Sequence, residues 1–409
     1  MTSKYSRLIA YALSIIIVAL MATIRVAPRA GATGRDSATP SNSLIIHEWG
    51  TFTSIAGKDG AAVEWHPLNG PSDLPGFVYA LGGNTGGGFR HGYNCTKCQV
   101  AQIRMETPVL YFYADNETTV SVRVDFPRGK VTEWYPQART VYANNSGSGI
   151  DWGRITVLPG AQEAFPVESG AQHYYAARET DAATVRICGE EETQHEKFLF
   201  YRGVGNFDLP LTARLEGERI VVKNKGGKDL SKFILFENRD GNIGYRIHDL
   251  FGGKVAIEHP APGQTIDELA RDLESLLVAA GLYEKEAKAM IKTWRDSWFE
   301  EGTRIFYILP RKTTDAILPI TIDPAPSELA RVLVGRMEVV TPEMERAIQQ
   351  QVARLKGSAS DVKGVTAAIT RKYGRFSEPV LKSILEKTRD VKLRARINQI
   401  IRTASAATY

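Results

Sequence analysis

Carboxylates stand beside tryptophan and tyrosine at several points of this chain, a pairing that suits a sugar site. Aromatic rings stack on the sugar while paired acids transfer protons. Glu48 lies between His47 and Trp49, Glu106 precedes Thr107-Pro108, and Glu133 precedes Trp134. Arg178 comes shortly before Asp181, Arg202 follows Tyr201, and Glu300-Glu301 come just before Arg304. On this reading Glu48, Glu106, Glu133, Glu300 and Glu301 are the candidate acids and bases. His47, Trp49, Trp134, Arg178, Asp181, Arg202 and Arg304 are the candidate binding residues. A plainer reading uses the same side chains: strand-end aromatics close a core, and arginine–carboxylate pairs staple loops. Convergence in one aromatic-lined cleft would favour the first reading, and scatter into separate ion pairs the second.

A second constellation is His91-x3-Cys95-x2-Cys98, directly after the glycine-rich run 82–88. Two thiolates at this spacing can share a metal that an imidazole four residues earlier also reaches, with His66 or His47 as a fourth ligand. A local disulfide or two ordinary loop thiols is the competing reading. Gln99 stands where haem attachment would need histidine. The glycine run leads into no helix with a lysine, so it reads as a loop and not a phosphate cradle. Gly-x-Ser-x-Gly, His-Glu-x-x-His and the phosphate-loop signature are absent from the sequence. With three cysteines in all, Cys188 being the third, this is no disulfide-built scaffold.

The elements that must position these residues are mostly strands. Val120, Val122, Val124 and Phe126 alternate with polar residues, as in a strand with one buried face. The runs 109–113, 185–187, 198–201, 219–222, 233–236 and 245–247 are β-branched or aromatic, with Pro127-Arg-Gly129, Asn144-Asn-Ser-Gly147 and Asp240-Gly241 among the turns between them. If 47–53 is a strand, His47, Trp49 and Thr51 share one face and Glu48 and Phe52 the other. Many short strands with such punctuation predict an antiparallel β-sandwich-like core. At Thr265 the period changes: Thr265-x-x-Glu268 is a capping box, and apolar residues at helical spacing run to Gly281. A second helix carrying Met290, Trp294 and Trp298 on a core face ends near Gly302, completing an inserted αα-hairpin over 265–301. Glu300 and Glu301 then fall in its last turn, where the helix dipole opposes negative charge. Strands resume at 304–309, 317–322 and 331–340. Thr341-Pro342-Glu343 starts a small helical appendage of three or four helices.

The start of the chain is an address. Lys4 and Arg7 precede an apolar run over 8–24, and Ala30-Gly31-Ala32 offers a cleavage site. Residues 1–32 are a signal peptide, or an anchor if they are retained; 33–43 form a polar tether. Both outcomes place the rest outside the cytoplasm, in the periplasm or beyond, and touch the membrane only through that segment. The core domain spans 44–340 and the appendage 341–409. From Val352 onward 13 Lys/Arg face 4 Asp/Glu, a local +9 within a chain of net +5. An anionic cell-envelope polymer, or a glycan at the aromatic sites, is the expected partner, and nothing points to specific nucleic-acid recognition. A solvated helical surface is the plainer account of the basic excess.

The blocks 47–54 (HEWGTFTS), 105–108 (METP), 132–136 (TEWYP) and 297–304 (SWFEEGTR) together resemble a group of exported bacterial proteins with no assigned activity. The resemblance covers most of 44–345 and implies export and a shared core, with no catalytic residue carried over. His91, Cys95, Cys98 and the basic helices lie outside it. The reading is an exported, extracytoplasmic binding or structural protein. Its rivals are a carboxylate-dependent hydrolase of glycans or cell-wall polymers, and a metal or redox protein.

Overall fold

The segment Ile45–Ala56 forms the central strand β1, buried on both faces along nearly its whole length. The computed structural model describes residues 43–406, apart from 69–72, 82–98, 145–146, 171–172, 190–191, 231, 251–252 and 356–357. After β1 come β2 (Tyr79–Ala80), β3 (Ile103–Tyr113), β4 (Thr118–Phe126), β5 (Gly129–Tyr135), β6 (Thr140–Asn144) and β7 (Gly147–Leu158). Next are β8 (Thr184–Cys188), β9 (Thr193–Glu196), β10 (Leu199–Gly205), β11 (Leu211–Glu216), β12 (Arg219–Asn224), β13 (Lys232–Arg239), β14 (Asn242–Asp249) and β15 (Lys254–Ile257). The helical hairpin is α1 (Ile266–Ala279) and α2 (Glu284–Trp298), followed by β16 (Gly302–Ile308), α3 (Arg311–Ile317), β17 (Ile320–Asp323) and β18 (Glu328–Val339). The chain closes on α4 (Pro342–Ala353), α5 (Ala359–Tyr373), α6 (Ser377–Lys387) and α7 (Val391–Ala406).

The strands make three sheets. The largest has nine in the order β14-β13-β16-β18-β1-β3-β10-β5-β2; β17-β4-β7-β8-β9 with β6 form a second, and β11-β12-β15 a third. Alternation decides what each face meets. Ile46, Phe52, Leu110, Phe112 and Leu333 pack on Val120, Val122, Ile155 and Val185 of the second sheet and Leu211 and Ile220 of the third. Trp49, Tyr111, Phe200 and Val332 point the other way, onto Leu269, Leu273, Met290, Trp294 and Trp298 of the helical hairpin. The result is a β-rich core of packed sheets with helices on one outer face.

Most pairings are antiparallel, as alternation and short turns predict, but β1 and β18 run parallel over their full twelve-residue lengths. They are the first strand and the last strand of the core, so the whole intervening chain serves as the crossover that a parallel pair needs. The 317–322 run is not one strand. Arg311 pairs with Asp315 at 2.8 Å across one helical turn, α3 continues to Ile317, and the short β17 joins β4 in the second sheet.

The expected caps are present. Thr265 and Glu268 form the capping box of α1, and the Thr341 side chain accepts from the Met344 amide at the start of α4. The C-terminal helices bury their own core of Met344, Ile348, Val352, Ile369, Leu381, Ile384, Ile397 and Ile400. They are also firmly docked. Phe376 lies under the guanidinium groups of Arg304 and Arg336, at 5.6 and 4.9 Å, and beside Trp65 at 6.1 Å. Replacing this buried ring, Phe376→Ala, is expected to destabilise the protein by ~3–5 kcal/mol in urea unfolding. A change under roughly 1 kcal/mol would mean that other contacts hold the helices.

Candidate functional site

Glu106, Glu133 and Arg304 of the sequence blocks meet other charged residues on the helix-facing side of the nine-stranded sheet. There they form a belt across six consecutive strands. Arg304 of β16 meets Glu338 of β18 at 2.8 Å, both fully buried. Arg336, one alternate position away on β18, stands opposite Thr53 of β1. Thr53 donates to Glu106 of β3 at 2.8 Å, and Arg104 approaches the other oxygen of Glu106 at 3.4 Å. Asp73 bridges Arg104 and Arg202 of β10, at 3.2 and 2.8 Å, and Arg202 reaches Glu133 of β5 at 3.0 Å.

Irregular backbone aims these side chains. The β1–β3 register shifts between Trp49 and Thr51, and both pairings of β10 shift next to Gly203. Thr107 takes a left-handed φ of 41° at the first of these bulges. A bulge re-aims the residue beside it, which places Glu106 next to Thr53. Gly50 has no room for a side chain here: a Cβ would lie 2.9 Å from the Leu333 methyl and 3.0 Å from the Pro108 backbone.

At its open end the belt reaches solvent through Asp73 and His173. His173 Nε2 lies 2.8 Å from Asp296 of α2, and its Nδ1 lies 3.5 Å from Asp73. Burial disfavours the imidazolium, but hydrogen bonds to Asp73 and Asp296 outweigh it and raise the His173 pKa. Burial would also raise the Asp73 carboxyl, yet Arg202 and Arg104 hold it well below the usual carboxylate range.

The opposite end of the belt closes on the helix terminus. The hairpin's second helix stops at Trp298, so Glu300 and Glu301 follow it and do not occupy its last turn. Its terminal carbonyls face positive charge: Arg336 donates to the Ser297 oxygen at 2.6 Å, and Arg304 donates to the Glu300 and Glu301 carbonyls. The Glu300 carboxylate pairs with Arg336 at 2.8 Å and lies 3.6 Å from Arg304. Glu301 accepts from the Asp240 amide at 2.8 Å and lies 3.5 Å from Lys372.

The remaining candidates lie elsewhere. Glu48 sits on the other face of β1, inside the sandwich, where it takes bonds from Arg331 and the Tyr201 hydroxyl. Burial, then the Glu48 charge, pushes the Tyr201 hydroxyl well above its ordinary pKa. His47 meets Glu286 at 2.8 Å, tying β1 to the first turn of α2. Trp49 is core, and Trp134 stacks with Tyr79 at 6.1 Å near the sheet edge. Arg178 pairs with Glu196 at 2.6 Å among Phe165, Tyr174 and Tyr175. Asp181 makes an exposed pair with Lys285 at 2.6 Å. The five candidate acids therefore occupy both faces of the sheet and a loop, and each engages a basic side chain.

Asp73, His173, Arg336 and Glu338 are not among the candidate residues named from the sequence, although His173 opens the aromatic run that leads to Arg178. For Arg336 and Glu338 a signal exists: charges at alternate positions of the otherwise apolar run 332–340. Asp73 and His173 sit in loops, where no periodicity marks them. His91, Cys95 and Cys98 lie outside the described residues. Among the described residues no group of three or more His, Cys, Asp or Glu side chains could hold a metal ion, and Cys188 is an exposed free thiol. No described helix is long and apolar enough to cross a membrane. No family model matches the chain, and no curated protein matches it.

Two measurements test this description. Glu48→Gln leaves the buried Arg331 with the part-exposed Asp315, at 2.8 Å, as its remaining charged partner and is expected to cost up to ~3–5 kcal/mol. The double change Glu48→Leu with Arg331→Met is expected to cost less than Glu48→Gln alone; equal or greater loss would rule out uncompensated charge as the cause. For His173, the raised folded pKa means its contribution is full below the unfolded value of about 6.5 and is lost as pH rises through the folded value. The stability gap between wild type and His173→Gln should therefore shrink on raising the pH above that range. A gap independent of pH would remove the imidazolium from the account.

Proposed function

We propose that the protein is an exported, non-catalytic module of the cell envelope that holds an anionic envelope polymer on its C-terminal helices. The observation that carries this reading is where unpaired charge remains. The buried candidate acids Glu48 and Glu106 are engaged by arginine, whereas Lys363, Arg371, Arg389, Lys392 and Arg402 are exposed with no acidic partner among the described residues. Lys363 and Arg371 lie on one side of α5, and Lys392 and Arg402 belong to α7, which packs against it. Exposed cations without partners keep their full charge for a ligand and release counterions when they bind it. The charged-then-apolar start of the sequence, with Ala30-Gly31-Ala32, supports delivery outside the cytoplasm.

A hydrolase needs carboxylates free to reach its substrate; Glu48 and Glu106 are fully buried, and Glu133, Glu300 and Glu301, which keep some exposure, are each held by a basic side chain. Their pairing supports a structural use. Because Phe376 docks the helices into the core, deleting them would uncover Arg304 and Arg336, so charge reversal is the cleaner experiment. Wild type is expected to bind immobilised polyphosphate with affinity that falls steeply as salt rises. Changing Lys363, Arg371, Lys392 and Arg402 to Glu should abolish retention with an unchanged melting temperature. Retention by this variant at wild-type salt would refute the reading.

A further inference from the structure

Away from the belt, one histidine stands over a buried carboxylate at the edge of a groove. The loop that carries it, 258–262, lies directly across β14, and the close approach depends on Gly244. A Cβ there would fall 2.7 Å from the Ala261 carbonyl oxygen. The Gly263 and Gln264 amides both donate to the Ile243 carbonyl, at 2.9 and 3.1 Å, which fixes the loop to the strand. Pro260 and Pro262 stiffen it further. His259 is thereby seated with Nδ1 against Glu237.

Glu237 is 4% exposed. It accepts from the Thr303 hydroxyl at 2.8 Å, and Arg239 stands at 3.2 Å. Burial works to raise its carboxyl, but the bonds from His259 and Thr303 and the Arg239 charge hold it below the usual range. An ionised Glu237 can only accept, so His259 Nδ1 donates in their bond and Nε2 is the ring nitrogen left for a ligand. The His259 ring lines a groove of ≈ 850 Å³ whose other walls are the turn after β11 and the first turn of α4. That volume is in the range of small-ligand sites, about 300–1,000 Å³.

The chemistry of the walls narrows the ligand. Arg219 pairs with Glu258 at 3.2 Å, Arg239 with Glu237, and Glu343 with Arg346, which leaves Glu218 as the lining acid outside these pairs. The groove offers many planar hydrogen-bonding groups, and its four carboxylates against two arginines disfavour an anionic ligand. Leu215, Pro260, Pro262 and Pro342 add apolar surface of the kind that packs against the C–H face of a pyranose.

We propose that this groove binds a short, uncharged oligosaccharide, with His259 Nε2 hydrogen-bonded to a sugar hydroxyl and Arg239 donating to a neighbouring one. The site is separate from the cations of α5 and α7, and the proposal does not rest on their role. High salt, which suppresses polyanion binding, leaves neutral sugar binding in place.

The test is an array of neutral and charged oligosaccharides probed with the full chain at high salt. Wild type is expected to retain neutral members, and His259→Ala to weaken them roughly tenfold, as for one lost hydrogen bond. His259→Gln, which keeps a polar group able to bond a hydroxyl, should recover part of the binding. Retention of charged members alone, no retention at all, or full binding by His259→Ala would each overturn the proposal.

Discussion

A charge taken out of water survives only beside a partner, and the two central strands carry buried charges on both faces. Glu48 and Arg331 lie directly opposite one another in the parallel β1–β18 pairing, inside the sandwich. Arg304 and Glu338 lie opposite one another where β16 pairs with β18, on the helix side. Slipping β1 by one residue would turn Glu48 toward the helices and Trp49 into the sandwich. The cost of an unpaired buried charge, several kcal/mol, is large against a total stability of ~5–15 kcal/mol. The register of the central sheet is thus held by electrostatics as well as by apolar alternation.

The same constraint joins the layers. Arg304 and Arg336 project from the sheet, donate to carbonyls at the end of the hairpin's second helix, and stack over Phe376 of the C-terminal helices. Two guanidinium groups therefore connect sheet, hairpin and C-terminal helices. Arginine suits the position because its planar fork satisfies several carbonyl and carboxylate acceptors while its face meets an aromatic ring. The acids after α2 look misplaced if only the helix dipole is considered. Beside Arg336, Glu300 supplies the negative charge that the buried cation needs.

Function is then read from the charges that remain. Core acids are committed to partners, which favours binding at the periphery over hydrolysis in the centre. The basic helices and the His259 groove present two different chemistries. One has unpaired cations suited to a polyanion; the other has planar hydrogen-bonding groups, apolar prolines and no excess of cations, suited to a neutral polyol. They occupy different elements, so the two proposed ligands would not compete for one surface.

What the sequence determined by itself is local. Alternation at 120–126 marked a strand with one buried face, the Thr265 capping box marked a helix start, and the parity of 47–52 separated Trp49 from Glu48. These features depend on side-chain period and on hydrogen bonds reaching three residues, both of which are visible along the chain. Which carboxylate meets which arginine was decided elsewhere. Glu48 and Arg331 are 283 residues apart, Thr53 and Glu106 are 53 apart, and His259 reaches Glu237 only because Gly244 lets a loop cross its strand. Acids beside aromatics looked alike in the sequence, because whether an ionised side chain is a tool or a staple depends on the charge opposite it. That charge is supplied by a neighbouring strand, and tertiary pairing alone brings it within reach.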